Sequence, residues 1–220
     1  MIVDPARAQQ YVEQGWWDGS TLASRVRRFA FDQPEAIAVV DETTDARVTY
    51  SQLWDDACRV ASFLGNQGVW PGDVVSVQLP NWYETVAIDL GVLARGAVLN
   101  PLLPNYRERE LQHILGTARA KVLFTPDEVR GFDHAALGRD LHAELDSLEE
   151  HIVVRGAGDF WQRVLGRVPA HLEPPDDGGA VSEVIFTSGT EATPKGVMHT
   201  EHTTNCNVRS AHAVNELRRL

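Results

Sequence analysis

Ten consecutive residues, Thr187-Ser188-Gly189-Thr190-Glu191-Ala192-Thr193-Pro194-Lys195-Gly196, gather hydroxyls, glycines and a lysine directly behind an apolar run. The chemistry that such a stretch serves is anion binding, above all of phosphate. Small residues let backbone N–H groups approach an anion, and hydroxyls add donors at little steric cost. A lysine adds a mobile positive charge for a polyphosphate. The stretch is not the Gly-x4-Gly-Lys-Ser/Thr loop of nucleotide triphosphatases: Pro194 stands where glycine should precede the lysine, and Gly196 replaces the following Ser or Thr. The alternative is an ordinary polar turn.

Other residues invite chemistry less strongly. His199, His202 and His212 share no metal-type spacing with each other or with a cysteine pair, and read as a polar helical surface. Cys58 falls on the apolar side of its helix and reads as packed, and Cys206 is a single thiol with no base implied. Glu149-Glu150 and Asp176-Asp177 read as solvated charge. Trp16 and Trp17 would anchor the N-terminal segment, or else line a partner surface. Eighteen of the twenty basic residues are Arg, which singles out Lys121 and Lys195. Lys121 opens an expected strand and is set aside.

The loop needs a scaffold, and the flanking sequence supplies an alternation of helix and strand. A helix is expected over Thr21–Phe31, capped by Ser20 and stopped at Gln33-Pro34. Ala36–Val40 and Arg47–Tyr50 form a hairpin across the turn at Asp41–Asp45. Ser51 caps the next helix, with Leu53, Ala57, Val60, Ala61 and Leu64 on one face, ended by Gly68. Strands then follow at Asp73–Leu79, Ala97–Leu99, Lys121–Phe124 and His151–Val154, separated by helices at Asn81–Arg95, Arg107–Ala118 and Asp133–Glu150. The alternation predicts an α/β fold, a largely parallel sheet flanked by helices. Pro174–Gly179 reads as a linker. It leads into a strand over Ala180–Phe186, the loop, and a helix expected directly after it.

Composition bounds the partners. The 220 residues are 43% hydrophobic and 23% charged, an ordinary globular balance. Twenty basic against thirty-one acidic residues leave a net charge of −11, which disfavours nucleic acid and anionic membrane surfaces. No apolar run approaches the ~20 residues of a membrane span. The first residues lack the pattern of a signal peptide, and two distant cysteines suit a reduced, cytoplasmic setting.

Five motifs in order then resemble one family. Ile185-Phe186-Thr187-Ser188-Gly189-Thr190 with Pro194-Lys195-Gly196-Val197 resembles the phosphate loop of the adenylate-forming superfamily of acyl-CoA synthetases, aryl-acid ligases and luciferases. Ala36–Val40 with Val48–Leu53, Gly68–Val75, Leu79-Pro80-Asn81 and Gly96–Pro101 resemble further motifs of that family in the same order. Glu191 and Ala192 depart from its usual Thr and Gly, and Glu201 stands where it usually has a histidine. Gly15-Trp16-Trp17, Pro104–Arg107 and Thr190–Thr193 look most like the cyclohexanecarboxylate–CoA ligases, with siderophore aryl-acid ligases the nearest rival.

The resemblance implies the N-terminal portion of the synthetase fold. Residues 1–70 would form an N-terminal segment with a hairpin, 71–175 an α/β subdomain, and 180–220 the strand, phosphate loop and following helix. It implies a carboxylic acid, ATP, Mg²⁺ and CoA as substrates and cofactors. Thr187, Ser188, Gly189, Thr190, Glu191, Ala192, Thr193, Lys195 and Gly196 would line the ATP phosphates, with no catalytic residue or metal ligand in this chain. Self-association of exposed apolar faces is expected. The adenine pocket, the acyl pocket and a mobile C-terminal domain have no counterpart here. The chain thus reads as a piece of an AMP-forming ligase, inactive alone, or as a naturally short module without that activity.

Overall fold

The computed structural model describes residues 4–166, 168–169, 171–187 and 194–215. Ser188, Gly189, Thr190, Glu191, Ala192 and Thr193 of the expected phosphate loop lie outside them, as does the side chain of His212.

The chain opens on α1 (Pro5–Glu13), with Asp4 as its cap, and α2 (Leu22–Asp32). The cap of α2 is Thr21 rather than Ser20. Its Oγ1 accepts the Ser24 N–H at 3.1 Å while Ser24 Oγ accepts the Thr21 N–H at 3.0 Å. Strands β1 (Ile37–Asp41) and β2 (Ala46–Thr49) form the expected antiparallel hairpin. The chain passes from β2 straight into α3 (Tyr50–Asn66), so the last extended residue, Thr49, caps it in place of Ser51, with Gln52 completing a reciprocal pair. Leu53, Ala57, Val60, Ala61 and Leu64 are all buried, as their spacing predicts.

The body of the fold follows as β3 (Val74–Val77), α4 (Tyr83–Ala94), β4 (Val98–Pro101), α5 (Glu108–Ala118) and β5 (Val122–Pro126). Next comes a small hairpin of β6 (Glu128–Val129) and β7 (Phe132–Asp133), which no local pattern announced. Then come α6 (His134–Glu144), β8 (Glu150–Val154), a π-helical turn at Trp161–Leu165, β9 (Val181–Phe186), β10 (Gly196–Thr200) and α7 (Glu201–Asn215). Six strands make one sheet in the order β10-β9-β4-β3-β5-β8, parallel except for β10.

Two expectations give way here. The helix over Asp133–Glu150 stops at Glu144, because Glu150 is drawn into the sheet opposite Val122 and the pairing outweighs local helical pattern. The expected phosphate loop does not lead directly into a helix: β10 returns along β9 first.

Alternation along the strands divides the core. Val75, Val77, Val122 and Phe124 face α3, α4 and the π-helical turn, meeting Phe63, Ile88, Val92 and Phe160. Leu123 and Phe186 face α5 and α6, meeting Leu111, Ile114, Leu115 and Leu141. Helices α3 and α4 touch closely at Gly91, where a Cβ would stand 2.5 Å from Val60 Cβ. The β1–β2 hairpin is tied to the sheet by Arg155, whose guanidinium lies 2.7 Å from both Asp41 and Glu84 and 4.2 Å over the Trp82 ring.

Candidate functional site

Parallel strands all present their carboxyl ends to one edge of the sheet, and ligands of open α/β sheets bind where successive connections diverge there. From β3 the chain steps to β4 on one side and to β5 on the other. The chain leaves the sheet at this edge at Thr187, directly after β9, the strand beside β4.

The neck of the loop is built by the two antiparallel strands. Gly196 pairs with Phe186, and the Thr187 N–H donates to the Lys195 carbonyl at 3.1 Å. A Cβ at Gly196 would meet Val184 Cγ2 at 3.1 Å and Phe186 Cζ at 3.2 Å, so a side chain there would press β10 off β9. Thr187, Lys195 and Gly196 are exposed, whereas Phe186 is buried. Lys195 meets no acid among the described residues. Of the residues expected to line phosphate, the structure brings these three together at the neck.

Because β10 intervenes, the positive end of α7 does not lie at the loop's exit, so phosphate binding there would depend on the loop's own N–H groups and Lys195. Glu201 opens α7 as a buried carboxyl; burial pushes its pKa up, partly offset by a hydrogen bond from the Leu22 N–H and the charge of Arg25.

The neighbouring loop after β4 is pinned from below. Gln78 Nε2 donates to the Leu103 and Tyr106 carbonyls at 3.0 and 3.1 Å. Arg107 donates to the Pro104 and Tyr106 carbonyls at 2.9 and 2.8 Å while lying 3.9 Å over the Phe132 ring. Asn100 is fully buried and joins three strands: Oδ1 accepts from Ser76 at 2.9 Å, and Nδ2 donates to the Val184 carbonyl at 2.9 Å.

Sequence reasoning missed His113 on α5. Its ring is edge-on to Phe186, with centroids 6.5 Å apart, and its Nε2 lies 3.0 Å from the Pro194 carbonyl. It missed Asp89 too, whose Oδ1 is buried with no hydrogen-bond partner among the described residues. No local signal marks either residue, since the surroundings that single each one out are built by segments remote in the chain.

The remaining candidates have structural roles. Lys121 forms an ion pair with Asp73 at 2.9 Å. Cys58 is buried and its thiol is pushed up to about 11 by burial, which removes it as a nucleophile. Glu150 is not solvated charge, since it holds Arg163 at 2.7 Å. Trp17 stacks on His202 with centroids 4.4 Å apart, and Asp18 pairs with Arg25 and Arg209, so the N-terminal segment is anchored on α7. Trp16 stays half exposed. Among the described residues no His, Cys, Asp and Glu side chains gather as a metal site, and no helix is long and apolar enough to cross a membrane.

Comparison with known proteins bears directly on this fold. The medium-chain fatty-acid–CoA ligase of Escherichia coli K12 is 34% identical over 89% of the chain. The salicylyl-CoA synthase/salicylate adenylyltransferase of a Streptomyces species is 30% identical over 94% of it. The chain spans 36% and 39% of the lengths of these two relatives. The apo structure of MbtA from Mycobacterium smegmatis superposes on all of the chain with a TM-score of 0.85 at 31% identity, the chain covering 40% of it. A family model described as AMP-binding enzyme matches residues 26–219, and with that match, on this fold and around this loop, the chain belongs to the AMP-binding enzyme family.

Proposed function

We propose that the protein carrying this chain is an AMP-forming carboxylate–thiol ligase. A carboxylate oxygen attacks the α-phosphorus of ATP, and the bond to the β-phosphate oxygen breaks, giving acyl-adenylate and pyrophosphate. The sulfur of CoA then bonds to the acyl carbon, AMP leaves with the carboxyl-derived oxygen, and the thiol proton passes to solvent. The observation that carries the reading is the hydroxyl- and glycine-rich sequence that ends in Lys195, exposed and without an acid among the described residues, at the carboxyl edge of the sheet in a chain of this family.

Charge neutralisation and alignment are the work left to the protein in such a reaction. In this reading Lys195 and the loop N–H groups hold the β- and γ-phosphates, and Thr187, Ser188, Thr190 and Thr193 donate hydroxyls. Gly189, Ala192 and Gly196 leave room for backbone to approach. A carboxylate at Glu191 would oppose anion binding unless it pointed away from the phosphates or met Mg²⁺. Mg²⁺ enters with the nucleotide, and none of the described residues is assigned to it.

The intact protein, given ATP, Mg²⁺, CoA and a panel of medium-chain, alicyclic and aromatic acids, should release pyrophosphate and AMP. ADP as product would exclude the mechanism. An aromatic acid is the second reading, supported by the salicylate-activating relative matched over 94% of the chain; salicylate outperforming every aliphatic acid would select it. A cytoplasmic setting accords with the free thiols of Cys58 and Cys206.

A further inference from the structure

Helix α5 contributes a side chain that touches the phosphate loop at both of its ends. The chain enters the loop from Phe186 and leaves it through Pro194 and Lys195. His113 meets the entry with its ring, edge-on to Phe186, and the exit with its Nε2, 3.0 Å from the Pro194 carbonyl. Phe186 is itself fixed in the α5–α6 core against Leu111 and Ile114, so the imidazole stands on a rigid base.

The direction of that bond follows from chemistry. A carbonyl oxygen can only accept, so Nε2 carries the hydrogen and donates it. A trans peptide points its C=O and the next N–H in opposite directions, and no cis peptide occurs among the described residues. Drawing the Pro194 carbonyl toward α5 therefore turns the Lys195 N–H away from the helix. On the other side of the same residue, the Lys195 carbonyl is held by the Thr187 N–H at 3.1 Å. Both peptide planes flanking Lys195 are thus fixed, while its side chain stays exposed.

We infer that His113 is a positioning residue for nucleotide binding: by donating to Pro194 it sets the backbone from which Lys195 reaches the ATP phosphates. The inference rests on the phosphate-loop reading above. The test uses the intact protein and equilibrium binding of ATP, together with KM values for ATP and for the acid.

His113→Phe keeps an aromatic ring against Phe186 and deletes the donor; His113→Gln deletes the ring and keeps an N–H at similar reach. Loss of one such hydrogen bond predicts a roughly three- to tenfold weaker ATP affinity in His113→Phe. Recovery to within about twofold of the parent is expected in His113→Gln, with the acid KM unchanged in both. A role in packing alone would give the opposite order, since only His113→Phe retains the ring, and that order overturns the inference. Lys195→Ala serves as the reference. If it weakens ATP binding while His113→Phe binds normally, the inference falls and the phosphate-loop reading stands. If Lys195→Ala binds ATP like the parent, the reading itself falls and takes the inference with it.

Discussion

Lys195 and Arg155 are both cations beside the ends of strands, and their surroundings assign them opposite work. Arg155 is saturated by Asp41, Glu84 and Thr43, and hydrogen bonds from Thr43 hold the Asp41 carboxyl far below the usual carboxylate range despite its burial. Its charge is spent on binding the hairpin to the sheet. Lys195 is exposed and meets no acid among the described residues, the surroundings that the proposed phosphate contact needs. Lys195→Ala should raise the KM for ATP by about tenfold or more, the scale of a charge-assisted contact worth ~1.5–3 kcal/mol; steady-state kinetics of the intact protein with varied ATP checks it. Asp89 presents the reverse case, a carboxyl that meets no cation among the described residues. Burial first, and the charge of Glu183 second, push it up to about 7. The folded chain therefore holds that proton more tightly than the unfolded one, where Asp titrates near ~3.9. Stability should fall as pH rises from about 4 through about 7, with the penalty complete above. Asp89→Asn, which keeps the shape without the charge, should be more stable than the parent at pH 8, by on the order of 1–3 kcal/mol. The advantage should shrink on going to pH 5. Denaturant melts of both proteins at the two pH values measure it.

At the scale of elements, the seam between β4 and β9 decides how firmly the loop is held. The two strands share a single register pair, Leu99 with Glu183, and the Asn100 amide continues the seam by donating to the Val184 carbonyl at 2.9 Å. Asn100→Ala would leave that carbonyl and the Ser76 hydroxyl without their partner inside the sheet, a cost of ~1–3 kcal/mol. The loss should be local: amide hydrogen exchange in β9 and β10 should quicken more than in β3 and β5, which pair with each other over three residues. Uniform quickening across the sheet would show that Asn100 serves global stability only. The caps show the same dependence on context. Thr49 rather than Ser51 closes α3, because the helix begins where strand pairing stops.

For the molecule as a whole, one apolar surface stands out. An open groove of about 680 Å³ crosses β3, β4, β9 and β10 and is lined by Val74, Val98, Val184, Phe186 and Met198. A groove this apolar on a charged chain invites association. The isolated 220-residue chain should therefore self-associate, and Met198→Asp should shift it toward monomer in sedimentation velocity. It should also fail to catalyse adenylation, since in-line attack needs nucleotide, metal and acid held together. This chain spans only 36% and 39% of the two curated relatives compared above. Incubation with ATP, Mg²⁺, an acid used by the intact protein and hydroxylamine should yield no hydroxamate. Hydroxamate at the rate of the intact protein would overturn that expectation.

Much of the architecture is written locally. The β1–β2 hairpin, the apolar face of α3 and the strands β3, β4, β5, β8 and β9 follow from alternation, helical spacing and turn residues, because each expresses how a few neighbours partition between core and water. The proposed phosphate loop rests on local pattern for the same reason: the reading comes from ten adjacent residue types. Where local pattern was ambiguous, pairing decided. Glu150 extended the helical pattern of α6 yet sits in β8 opposite Val122, and Gly196–Thr200 became a strand because β9 offered an unpaired edge. The contacts that hold the loop were not legible at all. His113 meets Pro194 across 81 residues and Asn100 meets Val184 across 84, distances over which sequence carries no pairing signal. Residue types by themselves determined the reading of this segment as a phosphate loop. Only the closure of the sheet, which brings α5 and β4 against β9, decided which side chains hold that loop in place.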